Sequence, residues 1–250
     1  MNKMQQQKFI FICGLHRSGT SLLYKILKNQ KTISGFKNTT AIEDEGQHLQ
    51  SVFNAANKYG GPGKFGFDKN SFLNEKSEII KKENKDKLFS EWSKYWDLSK
   101  EYLIEKSPPN LVRTLFLQAM FPNSYFITIY RHPIATSLAT KKWSKTSHYS
   151  LINHWLVCHN QYLEDKKKLK NSLDVNYEDL INHPKETLKI IENFLNTQVV
   201  LIDNTIRKGV NDKYLSLWQK NKRNIFYKFN IRKTEKNFEM SINKFGYSFF

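Results

Sequence analysis

Only two cysteines, Cys13 and Cys158, occur in the 250 residues, each in an apolar stretch and far from the other. That count and spacing argue against a disulfide framework and against a thiolate metal site. Long hydrophobic runs are also missing. No stretch approaches the roughly 20 apolar residues a membrane span needs. The N-terminal run at residues 9–13 is shorter than a secretory h-region of roughly 7–15 residues, and no small-residue cleavage site follows it. Acids are absent from residues 1–42, which hold seven Lys/Arg; the first are Glu43, Asp44 and Glu45, in one run. There is no internal repeat, and no low-complexity segment beyond a Lys/Asn bias. These absences predict a soluble cytoplasmic protein of a reducing compartment, with no metal centre.

What is present points to a packed core. Hydrophobic residues make up 39%, and 18 Phe, 12 Tyr and 5 Trp are spread along the whole length, which excludes wholesale disorder. The charge is +17, from 40 Lys+Arg and 23 Asp+Glu. Such a balance attracts polyanions: nucleic acid, an anionic membrane surface, or small molecules bearing phosphate or sulfate. Residues 206–250 alone hold eleven Lys/Arg against Asp212, Glu235 and Glu239. Much of this lysine is expected simply to solvate helix faces.

Strand and helix signals alternate. The apolar run KFIFIC at residues 8–13 ends in glycine, as a buried parallel strand does, and residues 20–27 carry helical apolar spacing. Further strands are predicted at residues 102–104, 124–130 and 173–176, with helices at 111–120 and 135–143 between them. Residues 46–57, 72–96, 151–169, 185–195 and the basic C-terminal segment read as helical. The alternation predicts an α/β fold with a central, mostly parallel sheet flanked by helices. The Gly60-Gly61-Pro62-Gly63 cluster reads as a turn, because regular structure resumes directly after it. One domain is therefore expected over residues 1–250, with a core at about 8–195 and a basic helical segment at 196–250.

The strongest motif is GLHRSGTS at residues 14–21. It has the spacing of a phosphate loop, G-x-x-x-x-G-K-[ST], with Thr20 where the lysine belongs. Small residues let backbone N–H groups turn inward, and the following helix points its positive end at an anion. Arg17 is placed to supply the missing charge. Losing the lysine argues against transfer of a nucleotide γ-phosphate. A second motif, YFITIYRHP at residues 125–133, puts Arg131 directly after an apolar strand. That is the carboxyl end of the sheet, where open α/β folds bind ligands. Thr136, Ser137 and Thr140 follow on the next helix and could complete a forked arginine contact to an anion. Two anion sites on one sheet edge suggest a nucleotide with phosphates at both ends.

These motifs, with EKSPPN at residues 105–110 and NYEDL at 176–180, resemble the sulfotransferases that use 3′-phosphoadenosine 5′-phosphosulfate (PAPS). The similarity spans roughly residues 8–195, ends at Phe245-Gly246-Tyr247, and is greatest to bacterial glycan-type and tyrosylprotein-type members. It implies a single P-loop-like domain and PAPS as co-substrate. It also implies a hydroxyl acceptor (less readily an amine), such as a glycan, a peptide tyrosine or a small molecule. By the resemblance, His16, Arg17, Ser18, Gly19, Thr20 and Ser21 hold the 5′-phosphosulfate, Arg131 holds the 3′-phosphate, and Tyr177 lines the nucleotide side. The family's serine eight residues after that arginine is Ala139 here, so Ser137 or Thr140 is expected to take its place. Lys106 is implied to face the transferring group, with an ion pair to its neighbour Glu105 as the alternative.

An acceptor hydroxyl must lose a proton, which a positioned carboxylate or histidine can take. Three adjacent carboxylates repel one another and raise at least one pKa. Glu45 and His48 are three apart, on one face of a helix that begins near Gly46. The resemblance favours Glu45 as the base, with Glu43 and His48 as alternatives. His132, His154, His159 and His183 have no metal-ligand spacing and read as structural; Arg207, Lys208, Arg232 and Lys233 could close over the 3′-phosphate or bind an acidic acceptor, but solvated helix faces are the expected reading. Two other readings stay open: a P-loop small-molecule or nucleotide kinase, and a polyanion- or nucleic-acid-binding module built on the positive charge.

Overall fold

A computed structural model describes residues 7–201 and 206–250. Five strands form one sheet in the order β2-β3-β1-β4-β5, with every pairing parallel. They are β1 (Lys8–Cys13), β2 (Ile33–Ser34), β3 (Tyr102–Lys106), β4 (Ser124–Tyr130) and β5 (Ser172–Asn176). The sheet is buried on both faces, as parallel sheets are. Alternate residues of β1 therefore enter different cores. Phe9 and Phe11 pack with Trp92, Phe121 and Phe126 on one side. Ile10 and Ile12 join Leu23, Ile26, Ile127 and Ile129 on the other.

The helices are α1 (Thr20–Leu27), α2 (Lys82–Ser93), α3 (Thr114–Met120), α4 (Pro133–Ser144), α5 (His148–Lys166), α6 (Tyr177–Asn182), α7 (Pro184–Leu195), α8 (Asp212–Arg223) and α9 (Ile225–Asn243). The crossovers carry β1, β3, β4 and β5 so that their carboxyl ends share one edge.

Three sequence expectations are corrected. Residues 46–57 are not a helix; short 3-10 turns stand at Gly46–His48 and Ala56–Tyr59. The reason is local: the side-chain oxygen of Gln47 accepts from Ala56 N, and that of Gln50 accepts from Val52 N and Phe53 N. These amides offer the backbone partners other than a helical ladder. Within residues 72–96 only Lys82–Ser93 is α-helical, because Asn74 and Ser77 make turn contacts before it and Asn84, in its first turn, donates back to Ile79 O. Residues 111–120 begin in a proline-led 3-10 turn, Pro108–Val112, before α3. Of the expected basic segment at 196–250, residues 202–205 lie outside the described residues.

Candidate active site

The first loop is built by close approach. A Cβ at Gly14 would stand 2.7 Å from both Ile129 O and Ser18 Oγ, so only glycine lets the chain cross the end of β4. Gly19 caps α1 with φ of 107°, and a Cβ there would meet the Tyr177 ring at 2.5 Å. Arg17, though not glycine, also adopts a left-handed φ of 70°. That turn presents its carbonyl to Arg131 Nη1 at 2.8 Å. Backbone strain of this kind costs about 1–3 kcal/mol and gathers at functional sites.

Arg131, at the end of β4, is the hinge of the arrangement. Its Nε donates to Asn211 Oδ1 at 2.9 Å, and its guanidinium lies 4.3 Å from the centre of the Tyr177 ring. Its Nη2 is buried without a partner among the described residues, as are Ser18 Oγ and His16 Nδ1. Buried donors are ordinarily satisfied, at a penalty of about 1–3 kcal/mol when they are not. Glycines that a Cβ would obstruct, together with orphaned donors beside them, fit an anionic ligand here. Burial lowers the pKa of Arg131, and burial with Lys106 and His48 lowers that of His16 to about 3, so the imidazole is neutral at pH 7.

A cleft of about 680 Å³ opens over this loop. Its lining includes His16, Arg17, Gly19, Thr20, Ser21, Arg131 and Tyr177, together with Glu43, Glu45, His48 and Asn57, and apolar Ile42, Ala56, Pro62 and Pro108. The acidic run is thus split into three environments. Asp44 pairs with Lys28 (3.0 Å) and Thr39 (2.7 Å); against the upward push of burial, these partners lower its pKa. Repulsion within the run does not govern it. Glu43 is exposed at the cleft. Glu45 is buried, with Oε1 3.2 Å from Lys106 Nζ and Oε2 accepting from Gln47 Nε2. His48 Nε2 is 3.9 Å from the same Oε2, so two of the candidate bases form one unit.

Lys106 reaches Glu45, not its neighbour Glu105, because successive strand residues point to opposite faces. Glu105 instead accepts from Gly46 N, Ser107 Oγ and Asn110 Nδ2. Burial raises its pKa to about 7, opposed by the bonds from Ser107 and Asn110. It thereby anchors the turn that carries Glu45, and Trp92 Nε1 holds the same turn through Gly46 O at 2.9 Å.

Ser137 and Thr140 do not join Arg131 at the cleft. Both line a separate small cavity behind His16, where Ser137 Oγ is unpartnered and Thr140 donates to His16 O. Asn211 bonds Arg131 where the serine was sought. Sequence reasoning missed Asn211, Gln47, Trp143 and the role of Glu178. Trp143 lines the cleft rim under Arg17, 5.1 Å from its ring centre. Glu178 accepts from His132 N, Asn211 Nδ2 and Tyr247 OH, binding three distant segments at one carboxylate. Arg207 lines the cleft, whereas Arg232 and Lys233 are on exposed α9. His154 accepts from Gly66 N, and His159 contacts Trp155 O. Among the described residues no group of His, Cys, Asp and Glu could hold a metal ion, and no helix is long and apolar enough to cross a membrane.

A model of the sulfotransferase family matches residues 10–200. The fold is similar to a sulfotransferase domain from the curacin biosynthetic pathway, at 15% identity over 97% of this chain and 98% of that one, with a TM-score of 0.56. It is similar to sulfotransferase STF9 from Mycobacterium avium, at 9% identity over 97% and 78%, with a TM-score of 0.57. It is similar also to the sulfotransferase domain of the Synechococcus PCC 7002 olefin synthase, at 17% identity over 80% and 76%, with a TM-score of 0.51. No curated protein matches the chain in sequence.

Proposed function

The chain belongs to the sulfotransferase family, and on that basis we propose that it transfers the sulfuryl group of PAPS to a hydroxyl of a carbohydrate. The observation that carries this reading is the joining of the two anion-binding motifs. Arg131 donates to the carbonyl of Arg17, while its Nη2 has no partner among the described residues. The loop N–H groups and the N-terminus of α1 hold the 5′-phosphosulfate, and Arg131, kept in place by Tyr177 and Asn211, holds the 3′-phosphate. PAPS supplies the activated sulfuryl group. Glu45, across the cleft, takes the acceptor proton; Lys106 and Gln47 fix its two oxygens, and His48 stands ready at Oε2. Glu43, His48 and Asn57 offer bonds to sugar hydroxyls, and Ile42, Ala56, Pro62 and Pro108 line the same cleft with apolar surface. A cytoplasmic setting agrees with two buried free thiols.

Thermal shift with adenosine 3′,5′-bisphosphate, adenosine 5′-monophosphate and ATP–Mg²⁺ tests the nucleotide assignment. A ligand at a hundredfold its Kd stabilises by about 2.7 kcal/mol. Arg131→Ala is expected to weaken the bisphosphate by about 1.5–3 kcal/mol and the monophosphate far less. Equal losses for both ligands, or a larger shift with ATP–Mg²⁺ in the unaltered protein, overturn the reading.

A further inference from the structure

The corner between α8 and α9 takes no part in the cleft, yet its chemistry is unusual for a solvated surface. Ile225, Phe226 and Phe229 are 82%, 86% and 84% exposed at the start of α9. Leu217 on α8 and Tyr227 are also open to solvent. Around them, residues 213–234 contain seven Lys/Arg and no acid. The acids flanking that stretch do not offset it. Asp212 sits at the far end of α8, and Glu235 is buried under bonds from Lys222 and Trp218. From the neighbouring α4, Lys141 places its ammonium 5.1 Å from the centre of the Tyr227 ring. Two positions on, Trp143 is half exposed at the cleft rim with Lys142 against its ring. Lys141 and Tyr227 therefore extend the corner's mix of rings and cations onto α4, whereas Trp143 faces Arg17 and the cleft from another side of that helix.

We propose that this corner docks on the surface of an anionic lipid bilayer. Protruding phenyl and aliphatic side chains enter the boundary between headgroups and acyl chains, while lysines and arginines beside them meet lipid phosphates. Tyrosine at the edge of such a patch suits the headgroup level. The alternatives fit less well. The core of a protein interface is depleted of charge, whereas Arg223, Lys228 and Arg232 stand among these apolar residues. A second copy would oppose the same cations to its own.

Sedimentation of the full chain with vesicles tests the proposal. Binding is expected to phosphatidylcholine vesicles that contain phosphatidylglycerol, and not to phosphatidylcholine alone. The variant F226S/F229S keeps every cation and is expected to bind at least about tenfold more weakly, the loss of buried phenyl surface. K228E/R232E is expected to weaken binding similarly and to reduce its salt dependence. Both variants should retain binding of adenosine 3′,5′-bisphosphate, which shows that they are folded. Undiminished binding by F226S/F229S reduces the patch to plain charge attraction and overturns the proposal. So does equal binding to neutral vesicles, or no vesicle binding at all. A dimer in gel filtration that F226S/F229S dissociates, without vesicle binding, assigns the face to a second copy instead.

Discussion

Replacing Glu45 separates its ion pair with Lys106 from the proton transfer proposed for it. Its Oε1 lies 3.2 Å from Lys106 Nζ, and the lysine side chain is wholly buried. Glu45→Ala strands that ammonium, and removing one partner of a buried pair costs about 3–5 kcal/mol. The whole stability of a domain is about 5–15 kcal/mol, so the alanine variant is expected to sit close to unfolding. Glu45→Gln leaves an oxygen for the lysine, and the cost falls to about 1–3 kcal/mol. Removing both charges, as Glu45→Leu with Lys106→Met, is expected to recover most of what the alanine variant loses. Turnover follows a different order. Glu45→Gln should lower kcat by about 10²–10⁴, or about 3–5 kcal/mol of transition-state stabilisation, because glutamine takes no proton. The double variant should be stable and inactive. Both should keep their affinity for adenosine 3′,5′-bisphosphate, which the proposed function assigns to the loop and Arg131. Urea unfolding reads the ion pair, and release of the bisphosphate from PAPS with a panel of sugars reads the proton transfer. An alanine variant as stable as the unaltered protein would refute the burial argument. Unchanged kcat in Glu45→Gln, beside an inactive Glu43→Gln or His48→Asn, would move the base to that residue.

Gly19→Val should abolish PAPS turnover, because a φ of 107° and a Cβ 2.5 Å from Tyr177 displace the ring that supports Arg131; near-normal turnover would contradict the loop assignment. Its strain alone should lower stability by at least about 1–2 kcal/mol in urea unfolding. Acid should also destabilise the fold. Burial lowers His148, His154 and His159 to about 4, 3 and 3, so their stabilising effect is complete above 6.5 and is lost as pH falls. Between pH 7 and 5 each is expected to cost about 2 kcal/mol. Glu105 has the opposite sign: raised to about 7, it favours the folded state as pH falls and offsets about 2 kcal/mol of that loss. Urea midpoints at the two pH values should therefore fall further in Glu105→Gln than in the unaltered protein; parallel shifts would show that Glu105 does not titrate there.

The strand, loop and helix around Gly14 were legible because their signals are local: an apolar run, glycines at a fixed interval, and helical spacing from Thr20. Arg131 was legible for the same reason, standing directly after the run of β4. Its partners were not. Asn211 lies 80 residues away in an unremarkable polar stretch, and no pattern marks it as the amide that orients a guanidinium. Glu45 was found as a candidate base by resemblance, but its pairing with Lys106 depends on a turn that Gln47 and Glu105 shape from either side. The two-residue strand β2 is too short to show a period. Residues 46–57 misled because glutamine is a good helix former, and only the fold reveals side-chain amides occupying backbone donors. The strap of Glu178 likewise needed Tyr247 to be brought within 3.0 Å of it.

That strap has a consequence for the order in which the site comes into being. Glu178 ties the residue after Arg131 to Asn211 and to Tyr247, and Asn211 in turn holds Arg131. During synthesis, at about 5–20 residues per second, the Gly14 loop and β4 are complete well before Asn211 and Tyr247 appear. On the proposed nucleotide assignment, the 5′ side of the cradle is thus an early product of translation, and the 3′ side a late one. A chain that ends before Asn211 should carry the loop and yet fail to distinguish adenosine 3′,5′-bisphosphate from the 5′-monophosphate, so selectivity is the last property the growing protein acquires.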